Sequence, residues 1–207
     1  MKALDALNII NDISSSQKGL FTSAQATSLG IDRMALFRLA AHGQIEPVAR
    51  GVFKAAAAPM IREEDVYAAW LATDPTTPAY LRPFDGSGCV ASLGTAAWLH
   101  DLGELKPEPV TFSCPKRKQS RNASLRYLKR TLPEEDVCTV AGMPVTTPKR
   151  TILDLLDHGE DLSLVASVLR DAELADPAMK IEEEVNSRMT KCGFDKKFDL
   201  YAYLKKG

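Results

Sequence analysis

The residues that punctuate positions 19–55 constrain this chain more than any other feature. In the run LFTSAQATSLGI, Thr22 stands three residues before Gln25, the arrangement of a capping box, and Gly30 closes the segment where a positive φ costs little. Asp32 opens the next helix as its N-cap and Gly43 ends it. Two short helices joined by a short turn have helix-turn-helix spacing. Upstream, Leu4, Leu7, Ile10 and Ile13 recur at helical steps with Ala3, Ala6 and Ile9 alongside, so a first helix is predicted over residues 1–16. Downstream, residues 44–48 and 52–55 have β composition and are joined by Ala49, Arg50 and Gly51, a tight hairpin with an arginine at its tip.

On the third helix Leu36, Leu39 and Ala40 fall on one side and are expected to pack on the first two helices. The opposite side carries Met34, Phe37, Arg38 and Ala41, with Arg33 and His42 at the flanks, and is free to enter a major groove. Arg33, Arg38 and His42 are expected to contact bases or phosphates, and Arg50 to meet phosphate or a minor groove. Lys54, on the second hairpin strand, is counted with them. The plainer alternative is a helical trio that packs for stability alone.

Charge is segregated along the chain. The total is −1, which argues against phosphate binding only if charge is spread evenly. Between residues 106 and 130, Lys106, Lys116, Arg117, Lys118, Arg121, Arg126, Lys129 and Arg130 face a single acid, Glu108. From 131 to 190 the balance reverses, beginning with Glu134, Glu135 and Asp136. One surface can therefore be strongly basic in a nearly neutral chain, although a solvated loop is the simpler origin of such a run.

With 207 residues, 45% of them hydrophobic, the chain is expected to form two small globular units. The boundary is placed near Pro75 and Pro78, giving units 1–75 and 76–207. A helix over 62–73 precedes it. In the second unit an apolar helix is read over 89–102, and strands over 110–114, 125–130 and 137–140 are expected to form a small antiparallel sheet. Thr147 caps a helix with Pro148 at its first position, and 162–174 is amphipathic. After Pro177, Phe194, Phe198, Leu200, Tyr201 and Leu204 read as a packing helix without an obvious partner. The fold class is α+β: a winged helix-turn-helix followed by a mixed α/β C-terminal domain.

Cys89, Cys114, Cys138 and Cys192 show no paired spacing, and only His42, His100 and His158 are present to join them, so neither a zinc site nor a disulfide framework is expected. Four single thiols fit a reducing compartment. A Cys-His nucleophile pair stays open, because such pairs are distant along a chain. No apolar stretch reaches the ~20 residues of a membrane span, and no secretory signal is read, so a cytoplasmic location is expected.

The stretch GLFTSAQATSLGIDRMALFRLAAHGQIEPVARGVFKAAAAP resembles the N-terminal winged-helix domain of the AbiEi family of antitoxins, the transcriptional-regulator halves of bacterial AbiE toxin-antitoxin and phage-defence systems. CVASLGTAAWLHDLGEL and VAGMPVTTPKRTILDLLDHG are similar to later segments of that family, so the likeness spans roughly residues 15–175. The resemblance implies a repressor that binds inverted repeats in double-stranded DNA upstream of its own operon. It also implies a C-terminal domain that helps bind those repeats and opposes a nucleotidyltransferase-like toxin without needing a tight complex. Lys116, Arg117, Lys118, Arg121, Arg126, Lys129 and Arg130 are the expected second DNA surface, and no cofactor is expected.

Two other classes stand beside this reading. Glu104, Leu105 and Lys106 have the Glu-x-Lys spacing of metal-dependent nucleases, with Asp85 as a second carboxylate, but Gly103 and Pro107 point to a turn where such a site needs strand edges. A protein-interaction module would use the acidic 131–190 segment against a basic partner.

Overall fold

The computed structural model describes residues 3–206. Met1 and Lys2, read above as the start of the first helix, lie outside the described residues, as does Gly207. The chain divides into two compact units, Met1–Arg82 and Pro83–Gly207.

The first unit begins with α1 (Ala3–Ser15), β1 (Leu20–Thr22), α2 (Ser23–Ser28) and α3 (Arg33–Ala41). The capping box at α2 is complete: Thr22 Oγ1 accepts from Gln25 N at 3.0 Å, and Gln25 Oε1 accepts from Thr22 N at 3.0 Å. The hairpin follows as β2 (Ile45–Ala49) and β3 (Val52–Ala55), turning through Gly51 at φ 76°. The three strands form an antiparallel sheet in the order β1-β3-β2. Sequence reasoning missed β1, whose three residues are all buried and too few to show alternation. Pro47 lies on the edge strand β2, where its missing N–H leaves no central ladder bond unmade. Ala6, Ile10, Phe21, Ala26, Ile31, Leu36, Leu39 and Ile45 make the core, while Leu4 points to solvent.

The unit continues through α4 (Glu64–Thr73) to Arg82. Residues 76–82, assigned to the second unit from sequence, pack here for a reason that no local signal reveals. Gln17 Oε1 accepts from Ala79 N at 2.8 Å, and Gln25 Nε2 donates to the Thr77 carbonyl. The Arg82 guanidinium donates to the carbonyls of Trp70 and Leu71 and lies over the Trp70 ring. Burial lowers the pKa of Arg82 to about 10.

The second unit holds β4 (Val90–Ala91), α5 (Gly94–Leu99), β5 (Val110–Cys114), β6 (Leu125–Lys129), β7 (Val137–Val140), β8 (Met143–Thr146), α6 (Pro148–His158), α7 (Leu162–Ala175), α8 (Glu182–Asn186) and α9 (Leu200–Leu204). Its sheet is a correction to the sequence reading: five-stranded and mixed, in the order β6-β5-β4-β8-β7. β5 runs parallel to β6 and β4 parallel to β8, while β4/β5 and β7/β8 are antiparallel. A five-residue strand spans about 17 Å. The connection over residues 115–124 is long enough to return the chain to its starting end, so β6 runs the same way as β5.

The apolar segment at 89–102 is not one helix. Its first residues pair with β5, Val90 opposite Ser113, and a positive φ at Leu93 separates β4 from the shorter α5. The same pairing brings Cys89 beside Cys114, their Cα atoms 4.4 Å apart, and the two are joined as a disulfide. The expectation of four single thiols therefore holds only for Cys138 and Cys192. The core gathers Ile152, Leu155, Val168 and Leu169 with Leu200 and Leu204, so the C-terminal segment packs as α9 against α7 and α8.

Candidate nucleic-acid interface

The open face of the first unit is set by what α3 buries. Asp32 Oδ1 accepts from Ala35 N at 2.7 Å and starts the helix, and Gly43 follows its end at φ 66°. Leu36 and Leu39 are buried. With that side fixed, Arg33, Met34, Phe37, Arg38, Ala41 and His42 are all exposed, Met34 at 65% and Phe37 at 68%. The α3 sequence, RMALFRLAA, holds no acidic residue.

Arg50 is exposed at the hairpin turn. Between the hairpin and α3 lies a cleft of about 600 Å³, lined by Arg33, Phe37, Arg50, Ser23, Phe53 and Pro75 among others. Two arginines thus border an otherwise largely apolar hollow.

Lys54 is a correction. It is 6% exposed, and its Nζ lies 2.9 Å from Glu64 Oε2 and 3.9 Å from Glu46 Oε2. β3 is the central strand, and alternation along it turns Lys54 to the face opposite Phe53 and Ala55, where Glu64 of α4 meets it, so the ammonium is spent on carboxylates and is not open to phosphate.

In the second unit Lys116, Arg117 and Arg121 are exposed on the 115–124 connection and Lys118 is half-buried. Arg126 and Lys129 are exposed on β6, with Arg126 Nη1 3.1 Å from His158 Nε2. Arg130 is the second correction. Its side chain is partly exposed, but its guanidinium donates to both Asp154 oxygens and to Ser113 Oγ, so its charge is already held by a carboxylate.

The nuclease constellation is not assembled. Glu104 and Lys106 fall in no strand, and Asp85 accepts from Ser87 N within its own turn. Among the described residues no group of three or more His, Cys, Asp or Glu side chains is placed to hold a metal ion. His100 and Cys138 do meet, with Nε2 3.9 Å from Sγ. That nitrogen also lies 2.8 Å from the Thr146 carbonyl, so it carries the proton and donates it there, and it cannot take one from the thiol. Burial pushes the Cys138 thiol up and holds His100 below its ordinary value, which opposes a thiolate-imidazolium pair. Among the described residues no helix is long and apolar enough to cross a membrane.

Residues 8–53 match the family described as transcriptional regulator, AbiEi antitoxin, and residues 88–191 match the AbiEi antitoxin C-terminal domain. The chain belongs to the AbiEi antitoxin family. No curated protein matches it. It is similar in fold to a crystal structure of the RV2827C protein from Mycobacterium tuberculosis, at 14% identity and a TM-score of 0.57, covering 97% of this chain and 76% of that one.

The two AbiEi matches bracket the geometry just described. The first runs from α1 into β3 and contains α3 and the Arg50 turn, and the second contains every basic residue from 106 to 130. What sequence reasoning missed in this AbiEi chain is the carboxylate partners. Asp154 stands between Leu153 and Leu155 on an amphipathic helix, which marks it in the sequence, whereas nothing local marks Glu64 as the partner of Lys54.

Proposed function

We propose that this AbiEi chain is a DNA-binding antitoxin that represses its own toxin-antitoxin operon by occupying repeats upstream of it. The first unit acts as a winged helix-turn-helix, with α3 in the major groove and the β2-β3 hairpin as the wing. The observation that carries the reading is the uninterrupted exposure of Arg33, Met34, Phe37, Arg38 and His42 on a helix without acids, with Arg50 across a cleft. Phosphate neutralisation requires such a local cationic surface whatever the total charge.

In this reading Arg33, Arg38 and His42 contact bases or phosphates, and Arg50 grips the flanking backbone. Lys116, Arg117, Lys118, Arg121, Arg126 and Lys129 supply phosphate contacts of the second unit. That unit also carries the antitoxin activity, directed against a nucleotidyltransferase-like toxin, and performs no chemical step. The test is a gel shift with the DNA immediately upstream of the gene at two salt concentrations. A complex that forms at low salt and weakens steeply at higher salt supports the proposal. Failure to form any complex at low salt overturns it.

A further inference from the structure

Going around α3 at about 100° per residue, the exposed side chains follow in the order Arg33, Phe37, Ala41, Met34, Arg38, His42. The centre of the open face is therefore apolar and its two edges are basic. Phe37 and Met34 are among the large hydrophobic side chains this chain leaves in solvent, and they sit side by side on one helix. Side by side and flanked by arginines, the two offer an apolar contact surface.

The charge at the edges selects the occupant. A helix about 10–12 Å across fits a major groove about 12 Å wide, so the centre of its outer face meets the groove floor and its edges meet the phosphate walls. On that floor thymine alone among the four bases presents a methyl group. Resting on the DNA-binding reading above, we infer that Phe37 and Met34 read thymine C5-methyl groups, with Ala41 leaving room one turn beyond Phe37, while Arg33 holds one wall and Arg38 holds the other and reaches the base edges beside it. The two side chains are three residues apart, about 4.5 Å along the helix axis. Base pairs repeat about every 3.4 Å. The methyls they touch therefore belong to base pairs one or two steps apart, so the operator carries closely spaced thymines under α3.

The experiment uses the full chain and two versions of the upstream DNA, one amplified with dTTP and one with dUTP, which lacks only the methyl groups. Wild type is expected to bind the uracil version at least tenfold more weakly, from about fourfold for each methyl removed from an apolar contact. The Met34→Ala/Phe37→Ala variant, whose changes are solvent-exposed and leave the core intact, is expected to bind both versions alike. Equal wild-type affinity for the two versions overturns the inference while leaving DNA binding in place, and that comparison needs no variant. The same thymine-to-uracil ratio in wild type and variant also overturns it, by assigning the effect to DNA shape. Absence of binding to either version removes the DNA-binding reading itself, and the inference with it. A concentration-dependent dimer abolished by Phe37→Ala, together with indifference to the methyl groups, assigns the stripe to a second copy of the chain and overturns the inference.

Discussion

Arg130 grips Asp154 with both terminal nitrogens of its guanidinium, each 2.7 Å from a different carboxylate oxygen. Arg150 adds Nε at 2.8 Å to the same carboxylate and reaches Asp136 with Nη1 at 2.7 Å. Burial pushes the Asp154 carboxyl above its ordinary value while the two guanidiniums pull against it, and the same carboxylate helps hold Arg150 protonated. Removing one partner of such a pair leaves a buried charge uncompensated, which costs about 3–5 kcal/mol. Arg130→Met is expected near the lower end, about 3 kcal/mol, because Arg150 still pairs with Asp154. Unfolding followed by Trp98 fluorescence in a Trp70→Phe background reads the second unit. The triple replacement Arg130→Met, Asp154→Leu, Arg150→Met is expected to return most of the loss. DNA affinity of the Arg130→Met protein below its unfolding midpoint is expected to match wild type, and a large fall would return Arg130 to the phosphate-binding set.

Lys54 separates the two roles a lysine on the β2-β3 hairpin can take. With its ammonium on Glu64 and its side chain buried, Lys54→Met is expected to destabilise the first unit by about 2 kcal/mol, less than for a fully buried pair because Glu64 remains 20% exposed. It is expected to leave the salt dependence of DNA binding unchanged. A shallower slope against salt, at unchanged stability, shows instead that Lys54 reaches phosphate.

These two corrections mark where the sequence was legible. The caps at Thr22 and Asp32 and the turn at Gly51 are local devices, made by residues within three positions of the backbone groups they satisfy, and they position the α3 face. The partners of Lys54 and Arg130 arrive through tertiary packing, Glu64 from α4 and Asp154 from α6, and no spacing rule connects them. The parallel pairing of β5 and β6 was hidden for a related reason. Strand composition reports that a segment pairs, whereas direction is set by where the connection returns the chain. Residues 89–91 look like the start of a helix in the sequence because a short apolar run has no period to distinguish helix from strand.

In the proposed complex the arginines divide by what they would touch. Arg50→Ala removes a backbone contact in the proposed complex, so it is expected to weaken operator and unrelated DNA alike and to lower the slope of log K against log salt by about one unit. Lys116→Ala is expected to do the same with a smaller loss. Arg38→Ala is expected to weaken the operator more than unrelated DNA, because the edge of α3 also reaches base edges. Binding titrations at three salt concentrations on both DNAs test the division, and equal losses on both DNAs for Arg38→Ala remove it.

Asp157, at the end of α6, accepts from Lys191 Nζ at 2.7 Å and from Arg188 Nε at 3.1 Å. Burial alone raises its carboxyl, but Lys191 and Arg188 outweigh burial and hold it below the ordinary aspartate value. A folded-state value below the unfolded one, about 3.9, stabilises the fold above that pH, and the contribution is lost as pH falls through the folded value. The melting temperature of wild type is expected to exceed that of Asp157→Asn by a constant margin from pH 5 to 8, and the margin is expected to shrink below about pH 4. A margin that widens on acidification contradicts the pairing.

The Cys89–Cys114 bond makes a chemical prediction that is independent of DNA. Val90 faces Ser113 across antiparallel strands, so the residue before one lies beside the residue after the other, and side chains at both positions are buried. Cys138 and Cys192 are the free thiols, both half-buried, and burial raises the pKa of each. Since the thiolate is the reactive form, the native chain is expected to react slowly with a thiol reagent at neutral pH and faster as pH rises. Unfolded in denaturant without reductant, it is expected to consume two equivalents, and after reduction four. Four equivalents before reduction show that Cys89 and Cys114 are neighbouring thiols and not a bonded pair.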